Sequence, residues 1–249
     1  MNPLSNYGWG LPIQASTYAG KIDMGLSILH GVMFLIFGLW AIYLVWCLIR
    51  YRKKEGVPAQ YSHKATWTSL IPDGAVLFFE IWLIFAVGIP VYSHIKKDLP
   101  PKEKATEVRI IAEQFAWTIH YPGADGQFGK VSPSLVNSDN PLGLDESDAA
   151  STDDIVSVNN LYIPLGKPVL VQLSSKDVIH SFFIPEFRIK QDVVPGMKIP
   201  IWFEPNMLGQ FEIGCAQLCG TGHYRMRGDV YVQTPKEFED WLASQKKKG

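Results

Sequence analysis

Gly214-Cys215-Ala216-Gln217-Leu218-Cys219-Gly220-Thr221-Gly222-His223-Tyr224-Arg225-Met226 decides how this chain is read. Two thiols stand four residues apart, an imidazole follows four later, and a thioether three after that. Thiolate, imidazole and thioether together form a soft ligand set that selects copper over hard cations. A mononuclear blue-copper loop needs one Cys, one His and a weak Met from such a run. Here a second Cys is present, and two thiolates on one short loop can bridge two copper ions. A binuclear centre then needs a second imidazole, for which His180 is the candidate. Two plainer readings stand beside this one. Cys215 and Cys219 could pair as a disulfide, or join His223 in a zinc site, although zinc sites seldom recruit Met. A rigid β-sandwich suits such a redox loop, because ligands held by sheets change geometry little between oxidation states.

Outward from this loop, the chain is segregated. It has 249 residues and a net charge of −1, so no general basic surface points to nucleic acid. Three Cys are too few for a disulfide scaffold, and Cys47 lies in an apolar run where packing is its expected role. From Met24 to Ile49 there is no Asp, Glu, Lys or Arg across 26 residues, whereas about 20 suffice to span a bilayer. Arg50-Tyr51-Arg52-Lys53-Lys54 closes the run. Its length and late start argue against a signal peptide. A second span is expected at 67–95. It contains Pro72, Asp73 and Glu80, and the two acids share one helical face. Glu80 is read either as packed against a partner subunit or as a proton-handling group. Arg50, Arg52, Lys53, Lys54 and Lys64 oppose Glu55 alone in the connecting loop, which places 50–66 in the cytoplasm and both flanks outside.

The expected organisation is an extracytoplasmic segment at 1–23, a first helix at 24–49, the basic loop, the second helix and a linker at 96–105. A copper domain follows at 106–235, then a helix and basic tail at 236–249. Short β-rich runs such as Glu107–Ala112, Phe115–Tyr121, Pro168–Leu173, Ile199–Phe203 and Gly228–Val232 predict a sandwich or barrel. Within it, 122–158 has little periodicity. It carries Asp125, Asp139, Asp145, Glu146, Asp148, Asp153 and Asp154 against Lys130. That segment reads as a solvated or mobile surface loop, or as a docking surface for a basic partner.

These features together resemble subunit II of the haem–copper oxidases, cytochrome c oxidase in particular. The metal loop matches the family's binuclear purple-copper motif. Ser175-Lys176-Asp177-Val178-Ile179-His180-Ser181-Phe182 is similar to its first-histidine motif, and Lys190-Gln191-Asp192-Val193-Val194-Pro195-Gly196 to the run after it. Trp67-Thr68-Ser69-Leu70-Ile71-Pro72 resembles the opening of its second helix. The resemblance implies a membrane-anchored all-β fold: a two-helix transmembrane hairpin followed by a cupredoxin-like β-sandwich or barrel. It implies that Cys215 and Cys219 bridge both coppers. His180 and His223 would add one imidazole each, with Met226 and the Gln217 carbonyl as weak ligands. Electrons would enter near Phe115 and Trp117 and leave through His223, and Asp177 would belong to the donor-docking patch.

The implied function is acceptance of electrons from a periplasmic cytochrome c, or a cytochrome c domain of a neighbouring complex. They would pass through the dicopper centre to a haem of the large subunit I, where oxygen is reduced to water. The implied setting is a bacterial inner membrane, with other oxidase subunits and the lipid bilayer as partners. The chain also departs from the family pattern. Gln217 replaces a Glu that reaches a magnesium shared with the large subunit. Phe115 replaces a Trp, Lys176 replaces an acid, and Lys64 replaces a Glu at a proton-channel mouth. The alternative is a membrane-tethered copper-delivery protein, which would hold one exposed copper(I) ion on exchangeable thiolates.

Overall fold

The structure is a computed structural model that describes residues 10–58, 61 and 66–245. Lys64 and the tail at 246–249 lie outside the described residues. The chain divides into two compact units. One joins the stretch up to Gly20 with everything from Ile95 onward, and the other is Lys21–His94.

The second unit is helical. Its first helix runs Ala19–Arg50 with a mean hydropathy of 2.5, and a second helical stretch runs Trp67–Lys97 with 2.2. None of either apolar window is buried within the chain. Phe34, Phe37, Ile42, Phe78 and Phe85 all stand exposed. Helices this long and apolar, with no protein over them, are membrane spans. The first begins five residues earlier than charge counting places it, because Lys21 and Asp23 sit within its opening turns. Pro72 occupies the first turn of the α-helical part of the second stretch, where its missing N–H costs nothing. A π-helical turn at Ile84–Gly88 follows Glu80 by one helical turn, and the Ile84 N–H reaches the carbonyls of Glu80 and Ile81. Such bulges are frequent at functional positions.

The other unit is a sandwich of two five-stranded sheets. In chain order the strands are β1 Thr106–Glu113, β2 Ala116–Tyr121, β3 Ile155–Val158, β4 Asn160–Pro164 and β5 Val169–Ser175. They continue as β6 His180–Ile184, β7 Ile189–Val193, β8 Ile199–Phe203, β9 Gly209–Cys215 and β10 Arg227–Gln233. One sheet has the order β3-β2-β1-β5-β8 and the other β4-β10-β9-β6-β7. Strict alternation on β1 buries Val108, Ile110 and Ala112 and turns Arg109 and Ile111 outward. Between the sheets, Trp117 meets Phe182 edge-on at 5.6 Å, and Phe187 sits 5.2 Å from both Phe203 and Phe211. Pro200 falls on β8, an edge strand, where a lost ladder donor is tolerated.

The stretch before the first helix is part of this sandwich. Ala15 N–H donates to Glu186 O at 2.9 Å, Thr17 N–H to Glu204 O at 3.0 Å, and Asn206 N–H to Ala15 O at 3.1 Å. Tyr18 is buried and its hydroxyl donates to Trp202 O at 3.2 Å. The chain therefore leaves the β unit for the first helix and returns to the same unit after the second.

The 122–158 segment is largely an exposed, irregular surface loop, but a hydrogen-bonded one. Its last four residues are β3, paired with β2. Its acids mostly bind its own backbone. Asp153 accepts from the amides of Ala124 and Asp125, Asp148 from Lys130 N–H, and Asp145 from Ser147. The Asp154 side chain is fully buried and accepts from His120 Nε2 at 2.7 Å, Gly129 N–H at 2.8 Å and Gly123 N–H at 3.2 Å. Burial holds the His120 imidazole below its ordinary value even though Asp154 pulls it up, so the ring is neutral and donates from Nε2. Most of these acids thus serve as staples between distant parts of the segment's own backbone. At the far end, Thr234 and Glu237 form a reciprocal capping box that starts the helix Pro235–Gln245. Trp241 of that helix stacks on Tyr162 at 4.4 Å.

Candidate metal centre

The two ligand-bearing segments are brought together by the second sheet. β6 pairs with β9, setting Phe182 opposite Cys215, and β9 pairs with β10, setting Gly214 opposite Arg227. The loop of 215–226 is therefore pinned at both ends. Cys215 N–H donates to Met226 O at 3.3 Å, and Ala216 N–H donates to Ser181 O at 3.0 Å. His180 opens β6.

Six donors converge. The Sγ atoms of Cys215 and Cys219 are 3.8 Å apart, and both are free thiols, so the disulfide reading does not describe this structure. Ligand atoms of His180, Cys215 and Cys219 all lie within 4.8 Å of one another. Cys219 Sγ is 3.6 Å from His223 Nδ1 and 3.7 Å from Met226 Sδ. Cys215 Sγ is 4.0 Å from His180 Nδ1 and 3.2 Å from the Gln217 carbonyl oxygen. His180, Cys219 and Met226 are buried, and Cys215 and His223 are half-buried. The Gln217 side chain points out to solvent. Two thiolates with an imidazole on each side and a thioether make a donor set that fits copper better than a closed zinc tetrad. Burial, then the neighbouring Cys215, pushes the Cys219 thiol up to about 11. Metal loading must therefore expel its proton.

The surroundings orient these ligands. His180 Nε2–H donates to Asp177 Oδ1 at 2.9 Å, which leaves the Nδ1 lone pair facing the sulfurs. Asp177 also accepts from Gln114 N–H at 2.7 Å and from Val178 N–H at 2.6 Å. Desolvation pushes its carboxyl up, but these hydrogen bonds outweigh it and hold the group below the usual carboxylate range. The carboxylate expected in a donor-docking patch thus also makes internal hydrogen bonds, while its residue remains exposed. Lys176 bonds Glu113 at 2.8 Å. Trp117 is fully buried, with its ring 6.2 Å from that of His180. Phe115 lies against the metal loop, where a Cβ at Gly222 would overlap its ring. Gly220, at φ +134, passes between Gln114 and Phe115 in a conformation that favours glycine.

Gln114 carries no motif signal, and its part emerges from the fold alone. Its main-chain N–H holds Asp177, which holds His180, and its side-chain Nε2–H donates to Cys219 O at 2.6 Å. One residue thereby ties the two ligand segments together. Residues that orient metal ligands typically contribute about 10–100-fold in metal affinity. Gln114→Glu keeps the shape but sets an oxygen against the Cys219 carbonyl. It is expected to weaken copper retention about ten-fold against a competing chelator. It should also alter the visible spectrum, whereas unchanged affinity and spectrum would reject the role.

Residues 106–232 match the family model described as cytochrome c oxidase subunit II, periplasmic domain. Over 246 residues the chain is 35% identical to the alternative cytochrome c oxidase subunit 2 of Bradyrhizobium diazoefficiens, covering 96% of this chain and 84% of that protein. It is 29% identical over 257 residues to the cytochrome c oxidase subunit 2 of Synechocystis, covering 94% and 75%. Among solved structures, the periplasmic domain of subunit II of cytochrome oxidase from Bradyrhizobium japonicum aligns at 27% identity with a TM-score of 0.43. That alignment covers 60% of this chain and 98% of that one.

Proposed function

Since the chain belongs to the cytochrome c oxidase subunit II family, and so is a membrane-anchored subunit of a terminal oxidase, we propose that it receives electrons from a cytochrome c, or a cytochrome c domain, on the periplasmic face of a bacterial inner membrane. The convergence of Cys215, Cys219, His180, His223, Met226 and the Gln217 carbonyl around one point supports this reading. Those residues would hold two copper ions, which would supply one-electron redox chemistry between that donor and the haem of the large subunit.

The chain's own residues do the rest. Cys215 and Cys219 would supply the thiolates that hold the metals, and the β6–β9–β10 ladder fixes Cys215 and both ends of the loop that carries Cys219. Burial of Cys219 and Met226 excludes water, so little solvent must reorganise when an electron moves. Phe115, half-buried on the loop, offers an aromatic edge to a donor haem, and Trp117 backs it beside His180. His223, on the rim of the loop, is the exit ligand toward the large subunit. Gln217 is exposed and neutral, so it would hold a shared magnesium more weakly than a carboxylate. Glu80 faces out of the second span toward a partner subunit or a proton path.

Stopped-flow reduction of the purified oxidase complex tests this. The copper absorption is expected to bleach before the haem is reduced, with a tethered cytochrome c domain outpacing small soluble cytochrome c. Haem reduction that precedes copper reduction would reject the reading.

A further inference from the structure

Away from the metal loop, the outer face of the first sheet carries a guanidinium that has no hydrogen-bond acceptor among the described residues. Arg109 lies opposite His120 on β2 and opposite Gln172 on β5. Its guanidinium carbon sits 4.0 Å over the ring of Phe128, which belongs to the 122–158 segment. Stacking fixes the plane of the fork and leaves its N–H edge free. Neither acid nearby takes that edge. Glu107 is paired with Lys102 at 3.2 Å. Asp154 is filled by His120, Gly123 and Gly129. Partial burial alone would disfavour this charge, and it holds the guanidinium below its ordinary value despite both acids.

Arg109 lines a cavity of about 240 Å³, together with Leu99, Lys102, Glu107, Phe128 and Gln172. That volume holds a tetrahedral oxyanion with room for its ester substituents. The fork of Arg109 matches such a group with two parallel hydrogen bonds, and Lys102, ion-paired to Glu107, lines the same cavity. Leu99 follows the end of the second span, at Lys97, by two residues. Two residues of chain reach at most about 7 Å. The chain thus enters the cavity wall within two residues of leaving the second helical stretch.

We propose that the Arg109 cavity binds a phosphate-ester oxyanion, held by the Arg109 fork and flanked by Lys102. The shared chemistry is the phosphate, supplied either by a lipid headgroup or by a free phosphate. The 122–158 segment acquires a role in this reading: it carries the ring that aims the fork.

The test uses the full chain in phospholipid-free detergent. Calorimetric titration is run with inorganic phosphate, with dihexanoyl phosphatidylglycerol, and with dihexanoyl glycerol lacking the phosphate, all at one ionic strength. Saturable binding of a phosphate-bearing probe is expected, with none for the phosphate-free lipid. Arg109→Gln should weaken it by about ten-fold or more, and Arg109→Lys, which keeps charge but loses the fork, by less. The lysine variant also decides the matter should the glutamine variant fail to fold. Tighter binding of the lipid than of inorganic phosphate supports the site and assigns it to a headgroup. Equal or weaker lipid binding supports it and assigns a free phosphate. Absence of binding by both phosphate probes, or equal binding in Arg109→Gln, would overturn the proposal.

Discussion

Cys215→Ser is expected to abolish the mixed-valence electron-resonance signal of the purified oxidase and to leave it with less than its full copper. Groups that merely orient a ligand contribute about 10–100-fold in metal affinity. Loss of a bridging thiolate should exceed the upper end of that range. A serine hydroxyl is a hard, neutral donor that cannot share charge between two soft ions. Met226→Leu is the contrast. Its Sδ stands 3.7 Å from Cys219 Sγ and is a weak ligand by chemistry. That variant should keep both metals and shift the reduction potential. Metal analysis and electron resonance on the two variants check both outcomes, and an unchanged signal in Cys215→Ser would reject the bridging role.

The second large effect is on stability. Asp154→Ala removes the one acceptor shared by His120 Nε2–H and the amides of Gly123 and Gly129. Orphaning these three donors costs about 1–3 kcal/mol each, or about 3–5 kcal/mol in all once relief of the buried carboxylate's desolvation is counted. For a domain of this size that corresponds to a fall in melting temperature of roughly 6–20 °C. Asp154→Asn keeps an acceptor oxygen and should fall less. Thermal melts of the full chain in detergent give the comparison. A shift below about 2 °C in the alanine variant would show that the pair does not hold the 122–158 segment. That segment also carries Phe128, 4.9 Å from the His120 ring, so its loosening would reach the Arg109 cavity.

What could be read from the chain and what could not differ by the range of the interactions. The metal loop is local: Cys215, Cys219, His223 and Met226 are spaced on one short run, and their chemistry is visible without a fold. The spans are equally local, being matters of composition and length. Strands β1, β2, β5, β8 and β10 announce themselves through β-branched and aromatic runs. Strand β9 hides its alternation of Phe211 and Ile213 among glycines, and β3 is four residues beside a pair of acids. The acids of 122–158 look like solvated charge in one dimension. Only the fold shows that Asp154 meets His120 from 34 residues away and that Asp153 closes on amides nearly thirty residues back. The stretch at 12–18 has no periodic signal either, because its backbone is held by Glu186 and Glu204, distant partners that no local pattern encodes. The Gln114 link is likewise invisible in sequence, since it joins Asp177 and Cys219 through one amide and one side chain.

The central claim is that this chain holds two coppers between two thiolates. Metal analysis of the native oxidase, paired with electron resonance of its oxidised form, addresses it most directly. The account predicts two coppers per chain, beyond any at the oxygen-reducing site, and a signal in which one unpaired electron is shared by both nuclei. A single copper with a blue-copper signal, or zinc in its place, would contradict it.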